Sequence, residues 1–331
     1  MNDFRPFGLD LDPQVAVGLQ SGLTAVEELL AESVTGEYPF LTQVSRHLVD
    51  AGGKRLRPLL VLLGAQFGDP SAPGVTPAAV VVELTHLATL YHDDVMDEAL
   101  LRRGAESANS RYGNSVAILT GDYLFARASD LLADLGPQAV RIQARTFARL
   151  VTGQVRETVG PTPQEDPVEH HLQVLADKTG SLIACAGRFG GLMSGADSGT
   201  VEVLADFGEK FGVAFQLSDD LLDIASVSQI SGKTPGTDLR EGVATLPVLL
   251  ARRSTNPQDA RLLQLTAGPI IDDDEHGEAL ALLRAHPALS EARDVTRQWA
   301  EGAREALSAL PAGSVTDALS ELCDLVVTRS V

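Results

Sequence analysis

The sequence predicts an all-α fold in one domain over residues 1–331. Three observations lead there. Alanine and leucine are frequent, β-branched alternation is scarce, and apolar residues recur three and four apart along nearly the whole chain. That spacing gathers apolar side chains on one face of a helix, whereas a strand would need a period of two.

The period is clearest in VAILTGDYLFARASDLLADLG (116–136) and EALALLRAHPALSEARDVTRQWAEGAREALSAL (278–310). Turn-forming residues interrupt it at GDPSAPGVTP (68–77), VGPTPQEDP (159–167) and GADSG (195–199). None of these is long enough to link separate domains. No repeat at a period of roughly 20–50 residues is present. The reading is a bundle of roughly ten to twelve helices.

Composition excludes several classes. With 26 basic and 45 acidic residues the formal net charge is −19, which repels nucleic acid and anionic lipid at long range. Any anion it binds must be held by local basic clusters or by metal ions. Cys185 and Cys323 sit in apolar helical patterns without a CxxC, as reduced thiols of a cytoplasmic protein would. The start, MNDFRPFGLD, has acids and a proline where a signal peptide needs an apolar core. Apolar runs such as PLLVLLGAQFG are too short to span a bilayer.

The stretch LYHDDVMDEALLRRG (90–104) carries the first candidate site. On a helix Asp93, Asp94 and Asp97 stand at about 0°, 100° and 40°, so their carboxylates share one narrow arc. Apolar flanks argue against a merely solvated face. FQLSDDLLDIAS repeats the spacing with Asp219, Asp220 and Asp223. If two such triads faced one cavity, each carboxylate pair at roughly 6 Å and an effective dielectric of about 20 would cost about 3 kcal/mol. Cations are therefore required, and an oxygen-only donor set selects Mg²⁺. The acidic run IIDDDEHGEAL (270–280) lacks apolar flanks on both sides and reads as a solvated helix start.

Basic residues complete the pattern. GGKRLRP (52–58) places Lys54, Arg55 and Arg57 at a loop-to-helix junction, and Arg102 and Arg103 follow the first triad. DKTG offers Lys178 and Thr179, Gln216 precedes the second triad, and ISGKTPG offers Lys233. Together they describe sites for two polyphosphates, one held through metal and one held directly by cations.

GGKRLRP, ELTHLATLYHDDVMDEALLRRG, GDYLFARAS, DKTGSL, FGVAFQLSDDLLD and GKTPGTDLREGVATLP, in that order, resemble the trans-isoprenyl diphosphate synthases, or polyprenyl synthetases, of medium- and long-chain type. The resemblance covers about residues 51–250. It implies an isoprenoid synthase type I-like helical bundle around a central cavity, usually a homodimer. The implied activity is head-to-tail condensation of isopentenyl diphosphate with an allylic diphosphate. It also implies Mg²⁺, about three ions with substrate bound, on Asp93, Asp94, Asp97, Asp219, Asp220 and Asp223. Lys54, Arg57, His86 and Arg103 match the isopentenyl diphosphate site. Arg102, Lys178, Thr179, Gln216 and Lys233 match the allylic diphosphate side. Asp93, Asp94, Asp97, Lys178, Asp219 and Asp220 are the candidate catalytic residues.

One departure stands out: Val243 occupies the family's usual lysine position in GKxTLP. The tail VVTRSV offers Arg329 as a basic lid. Thr85, Ala88 and Thr89 match the family's chain-length positions, and their small size implies an open channel and a product of roughly C30 to C50. The alternatives are a C20 geranylgeranyl diphosphate synthase, a class I terpene cyclase, and a non-catalytic subunit of a heteromeric synthase.

Overall fold

The computed structural model describes residues 6–225 and 235–329. The chain forms α1 (Pro13–Ser33), α2 (Pro39–Asp50), α3 (Leu56–Ala65), α4 (Val75–Met96), α5 (Ala108–Tyr112), α6 (Asn114–Leu135), α7 (Pro137–Val159) and α8 (Pro167–Leu175). A π-helical turn (Ala176–Gly180) leads into α9 (Ser181–Met193), followed by α10 (Ser198–Ala225). Beyond residue 234 come α11 (Thr237–Glu241), α12 (Leu246–Ala251), α13 (Ala260–Leu265), α14 (Asp273–Ala285), α15 (Pro287–Leu307) and α16 (Ser314–Arg329). The expected helices are present, and the predicted breaks fall between α3 and α4, α7 and α8, and α9 and α10. Four further helices of five or six residues were invisible to periodicity, because one turn carries no period.

Two differences have local causes. The pattern at 278–310 is broken at His286, which is extended (ψ 141°) because Pro287 disfavours helical backbone in the residue before it. A two-stranded hairpin, β1 (Leu101–Arg102) with β2 (Ala105–Glu106), interrupts the all-α pattern. The acidic run at 270–280 is the helix start that was expected. Asp272 caps α14 by accepting from the amides of Asp274 and Glu275.

The chain divides into two compact units, each built from several segments. The first comprises Met1–Ala148, Leu182–Ala205 and Ala309–Ala318. Its centre is α4, buried on most sides from Val75 to Tyr91 and packed against α1, α3 and α6. A Cβ at Gly121 of α6 would lie 3.0 Å from the Ala88 carbonyl oxygen and 2.3 Å from His92 Nε2, so only glycine permits this approach. The Tyr91 hydroxyl donates to Val44 O (2.5 Å) and accepts from Leu48 N (3.3 Å), tying α4 to α2.

The second unit comprises Arg149–Ser181, Asp206–Ser308 and Leu319–Val331. Val213, Leu217, Leu221 and Ile224 of α10 pack with Leu239, Leu246 and Leu283. Arg149 donates to Asp177 (2.9 Å) and to both oxygens of Glu209 (2.8 and 3.1 Å), and Gln173 donates to Asp177 (2.9 Å). These bonds hold the π-helical turn that carries DKTG. Among the described residues no helix is long and apolar enough to cross a membrane.

Candidate active site

In the first unit, Asp93 and Asp94 lie in the last turn of α4 and Asp97 is its C-cap. Asp94 is fully buried. Arg102 Nε donates to its Oδ1 (2.6 Å), while Oδ2 has no hydrogen-bond partner. Burial pushes the Asp94 carboxyl up, and the Arg102 guanidinium pulls it back. Asp93 is half-buried and Asp97 exposed. Arg102 stands on β1, and the two-residue turn Arg103-Gly104 has φ of 53° and 77°. Both values are positive, as a tight hairpin turn of this hand requires.

Left-handed backbone at Arg103 carries strain, and the side chain shows what sustains it. Arg103 Nη1 donates to Leu48 O (2.9 Å) and to Gly52 O. Its guanidinium lies over Gly53, where a Cβ would come within 3.0 Å of Cζ. Gly52 (φ 79°) and Gly53 (φ 152°) supply the backbone freedom this loop needs. Next in sequence, Lys54 is exposed.

Arg57 is half-buried, and its Nε is a buried donor with no partner. Burial pushes its guanidinium down to about 10; Glu83 opposes the change and Arg103 adds to it. His86, half-buried on α4, is held well below the ordinary histidine range by burial and by the charges of Arg57, Arg103, Arg102 and Arg55. Lys54, Arg57, His86, Arg102 and Arg103 therefore sit in the same unit as the first triad, with four arginine charges bearing on one imidazole.

The chain-length positions lie inside the packing of α4. Thr85 and Ala88 are fully buried and Thr89 nearly so. The Thr85 hydroxyl donates to Val81 O (2.8 Å) and accepts from Gln143 Nε2 (2.7 Å); Thr89 donates to His86 O (2.8 Å).

In the second unit every aspartate of the second triad has a protein partner. Asp219 pairs with Arg329, whose guanidinium also lies 5.0 Å from the centre of the Phe215 ring. Asp220 is buried, accepts from Gln216 Nε2 (3.1 Å), and has its other oxygen 3.6 Å from His171 Nε2. The two Asp223 oxygens accept from the amides of Thr237 and Asp238, both at 3.1 Å, anchoring the start of α11. Thr179 donates to Gln216 (3.4 Å), and Lys178 Nζ lies 2.5 Å from Glu157 Oε2. Val243 is exposed. Lys233 lies outside the described residues.

The family model for polyprenyl synthetases matches residues 38–283. The chain belongs to the polyprenyl synthetase family. It is 52% identical over 324 residues to the nonaprenyl diphosphate synthase of Mycobacterium tuberculosis, covering 97% of each chain. A geranylgeranyl pyrophosphate synthase structure from Corynebacterium glutamicum, complexed with calcium and isoprenyl diphosphate, superposes with a TM-score of 0.87 at 45% identity, over 97% of this chain and 99% of that one. A decaprenyl diphosphate synthase structure from Rhodobacter capsulatus gives 0.88 at 35% identity, over 96% and 99%. This polyprenyl synthetase is accordingly a prenyltransferase with the isoprenoid synthase helical fold.

Among the described residues of this polyprenyl synthetase, no three His, Cys, Asp or Glu side chains are gathered closely enough to form a cation cage. Arg102 and Arg329 neutralise Asp94 and Asp219, and backbone amides satisfy Asp223. The donor set itself fits a hard divalent cation. It is all carboxylate oxygen, Asp97 is exposed, and Asp94 keeps an oxygen without a partner.

Sequence reasoning passed over Glu27, Glu83, Glu157 and His171. Glu83 carried a legible signal, as an isolated acid in the apolar run VVVELTHL. The other three sit in ordinary helix-surface patterns and left none.

Proposed function

We propose that the chain condenses isopentenyl diphosphate head-to-tail with an allylic diphosphate, with Mg²⁺, to make a long-chain all-trans polyprenyl diphosphate. The observation that carries this is the unpartnered, buried Arg57 Nε within the cluster of His86, Arg102 and Arg103. A buried donor without an acceptor is costly, and a diphosphate oxygen would satisfy it. Names of relatives such as nonaprenyl and decaprenyl diphosphate synthase support the long product.

The reaction breaks the allylic C–O bond and forms a C–C bond to the isopentenyl double bond. A proton then passes to the freed diphosphate, leaving a new double bond in the product. Divalent cations, when bound, would neutralise charge on the departing diphosphate; Asp93, Asp94 and Asp97 of the first unit and Asp219, Asp220 and Asp223 of the second are the residues that would hold them. Calcium in the Corynebacterium glutamicum structure supports the choice of a divalent ion. Lys54, Arg57, His86 and Arg103 bind and orient the diphosphate that stays. Arg102, Lys178, Thr179, Gln216 and Lys233 bind the one that leaves, with Lys178 exchanging Glu157 for substrate. Mass analysis of products from purified protein, isopentenyl diphosphate and a short allylic primer tests the whole reading. Absence of elongated product would overturn it.

Chain length provides a sharper test. Ala88→Phe puts a rigid ring into a fully buried position on α4. Overpacking costs about 1–3 kcal/mol of stability, and the filled volume shortens the main product toward roughly C15 or C20. Thermal midpoint and product mass are read on the same preparation. A folded, active variant with the wild-type product distribution would remove Ala88 from length control.

A homodimer is part of the proposal. Val140, Val151, Val155 and Val159 are exposed on α7 and, with exposed Ala144 and Ala148, repeat at three and four. Such a stripe normally meets another apolar face. Val155→Asp is expected to yield monomer in sedimentation velocity; an unchanged sedimentation coefficient would exclude this face. A cytoplasmic location is also proposed. The two buried free cysteines support it, and fractionation of the tagged protein checks it.

A further inference from the structure

Lys54 and Arg57 flank a third cation, Arg55, which behaves unlike either of them. Lys54 is exposed and Arg57 keeps a donor without a partner. Arg55 is buried, and its backbone is left-handed at φ 51°. Its Nε donates to Glu27 Oε1 (2.5 Å) and its Nη2 to Glu27 Oε2 (3.0 Å). Nη1 donates to Glu83 Oε1 (3.0 Å) and Gly52 O (3.5 Å), and Nη2 also reaches Val49 O (3.2 Å). A guanidinium has five N–H groups, and five acceptors surround this one. No donor remains for a substrate oxygen.

The acceptors come from three places. Glu27 belongs to α1, Glu83 to α4, and Val49 and Gly52 to the end of α2 and the loop after it. The carbonyl of Gly52 also accepts from Arg103. The Gly52 carbonyl, at the start of the Gly52–Lys54 segment, is thus held by both Arg55 and Arg103. Glu83 is buried, and its charge also acts on Arg57 and Arg103. One carboxylate therefore counterbalances the cluster and, through Arg55, braces the loop that presents it.

We propose that Arg55, clasped by Glu27 and Glu83, is a positioning residue for isopentenyl diphosphate: it holds Lys54 and Arg57 in their binding geometry without touching the substrate. The proposal rests on the function proposed above, and it assigns Arg55 a part distinct from that of its two basic neighbours. The motif carries three cations, of which two bind and one builds the binding surface. Small misplacements of positioned groups cost up to about 100-fold, so the effect is readable in kinetics.

The test compares wild type, Arg55→Met, Arg55→Lys and Glu27→Gln in steady-state condensation, with both substrates varied and thermal midpoints measured. Arg55→Met is expected to raise KM for isopentenyl diphosphate by about 10- to 100-fold while KM for the allylic substrate stays within about twofold. Arg55→Lys stays impaired, because an ammonium cannot replace the planar fork toward Glu27. Glu27→Gln, at a half-exposed carboxylate, is expected to move the same constant by about 3- to 10-fold. If both KM values rise together in a folded Arg55→Met, or neither rises, the clasp is only structural and the proposal is overturned. Should Arg55→Met fail to fold, Glu27→Gln decides by the same criterion. Wild-type protein that does not consume isopentenyl diphosphate would overturn the functional reading itself. That result differs from normal wild-type turnover with unmoved constants in the variants.

Discussion

Asp93→Asn and Asp219→Asn each lower turnover by about 10²- to 10⁴-fold, and a chelator abolishes it until Mg²⁺ is restored. The expectation comes from charge. Ionising the allylic substrate places additional negative charge on a diphosphate, and in the proposed function each aspartate helps hold the cations that offset it. Asparagine keeps the shape and loses the charge, so about 3–5 kcal/mol of barrier returns. The structure adds a refinement for Asp219. Its present partner is Arg329, near the end of α16, so the substitution also releases that arginine. Arg329→Gln separates the two effects, since it removes the guanidinium while keeping the Asp219 carboxylate. The measurement is kcat at saturating substrates over a Mg²⁺ titration. Rates near wild type for both aspartate variants would sink the metal-clamp reading.

Arg103→Ala raises KM for isopentenyl diphosphate by about 10²- to 10³-fold and lowers stability by about 1–3 kcal/mol. Two losses combine. A cation leaves the cluster around His86 and Arg57, and the Leu48 carbonyl loses its guanidinium donor while the Gly52 carbonyl keeps only Arg55. The strained turn at residues 103–104 eases with alanine no better, because the left-handed backbone penalises any β-carbon. Arg103→Lys restores charge but not the paired reach to Leu48 and Gly52, so it recovers only part of the affinity. Initial rates with one substrate varied at a time check this. A rise confined to the allylic KM would show that Arg103 serves the other diphosphate.

Much of this molecule was legible in order of residues alone. Apolar spacing marked the long helices, and Gly-Pro clusters marked their ends, because both signals act within a few residues of chain. The triads 93–97 and 219–223 and the segment GGKRLRP were equally visible. Their chemistry depends on residue type and helical phase. The hairpin at 101–106 was not visible. Its four strand residues are too few to show alternation, and its turn depends on backbone strain that Arg103 sustains through Leu48 and Gly52.

What the sequence by itself determined is therefore the helical class, the paired aspartate motifs and the inventory of cations. Only tertiary structure decided what each charged group does. Arg55 and Arg57 stand two residues apart in one basic motif. One is saturated by Glu27, Glu83 and main-chain carbonyls, and the other keeps an open donor. Asp219 and Asp223 share a triad, yet one meets Arg329 across 110 residues of sequence and the other caps α11. The physical reason is range. Helix formation is settled by neighbours three and four residues away. The state of a buried charge is settled by whichever partner folding brings within hydrogen-bond distance, and that partner has no fixed place in the sequence.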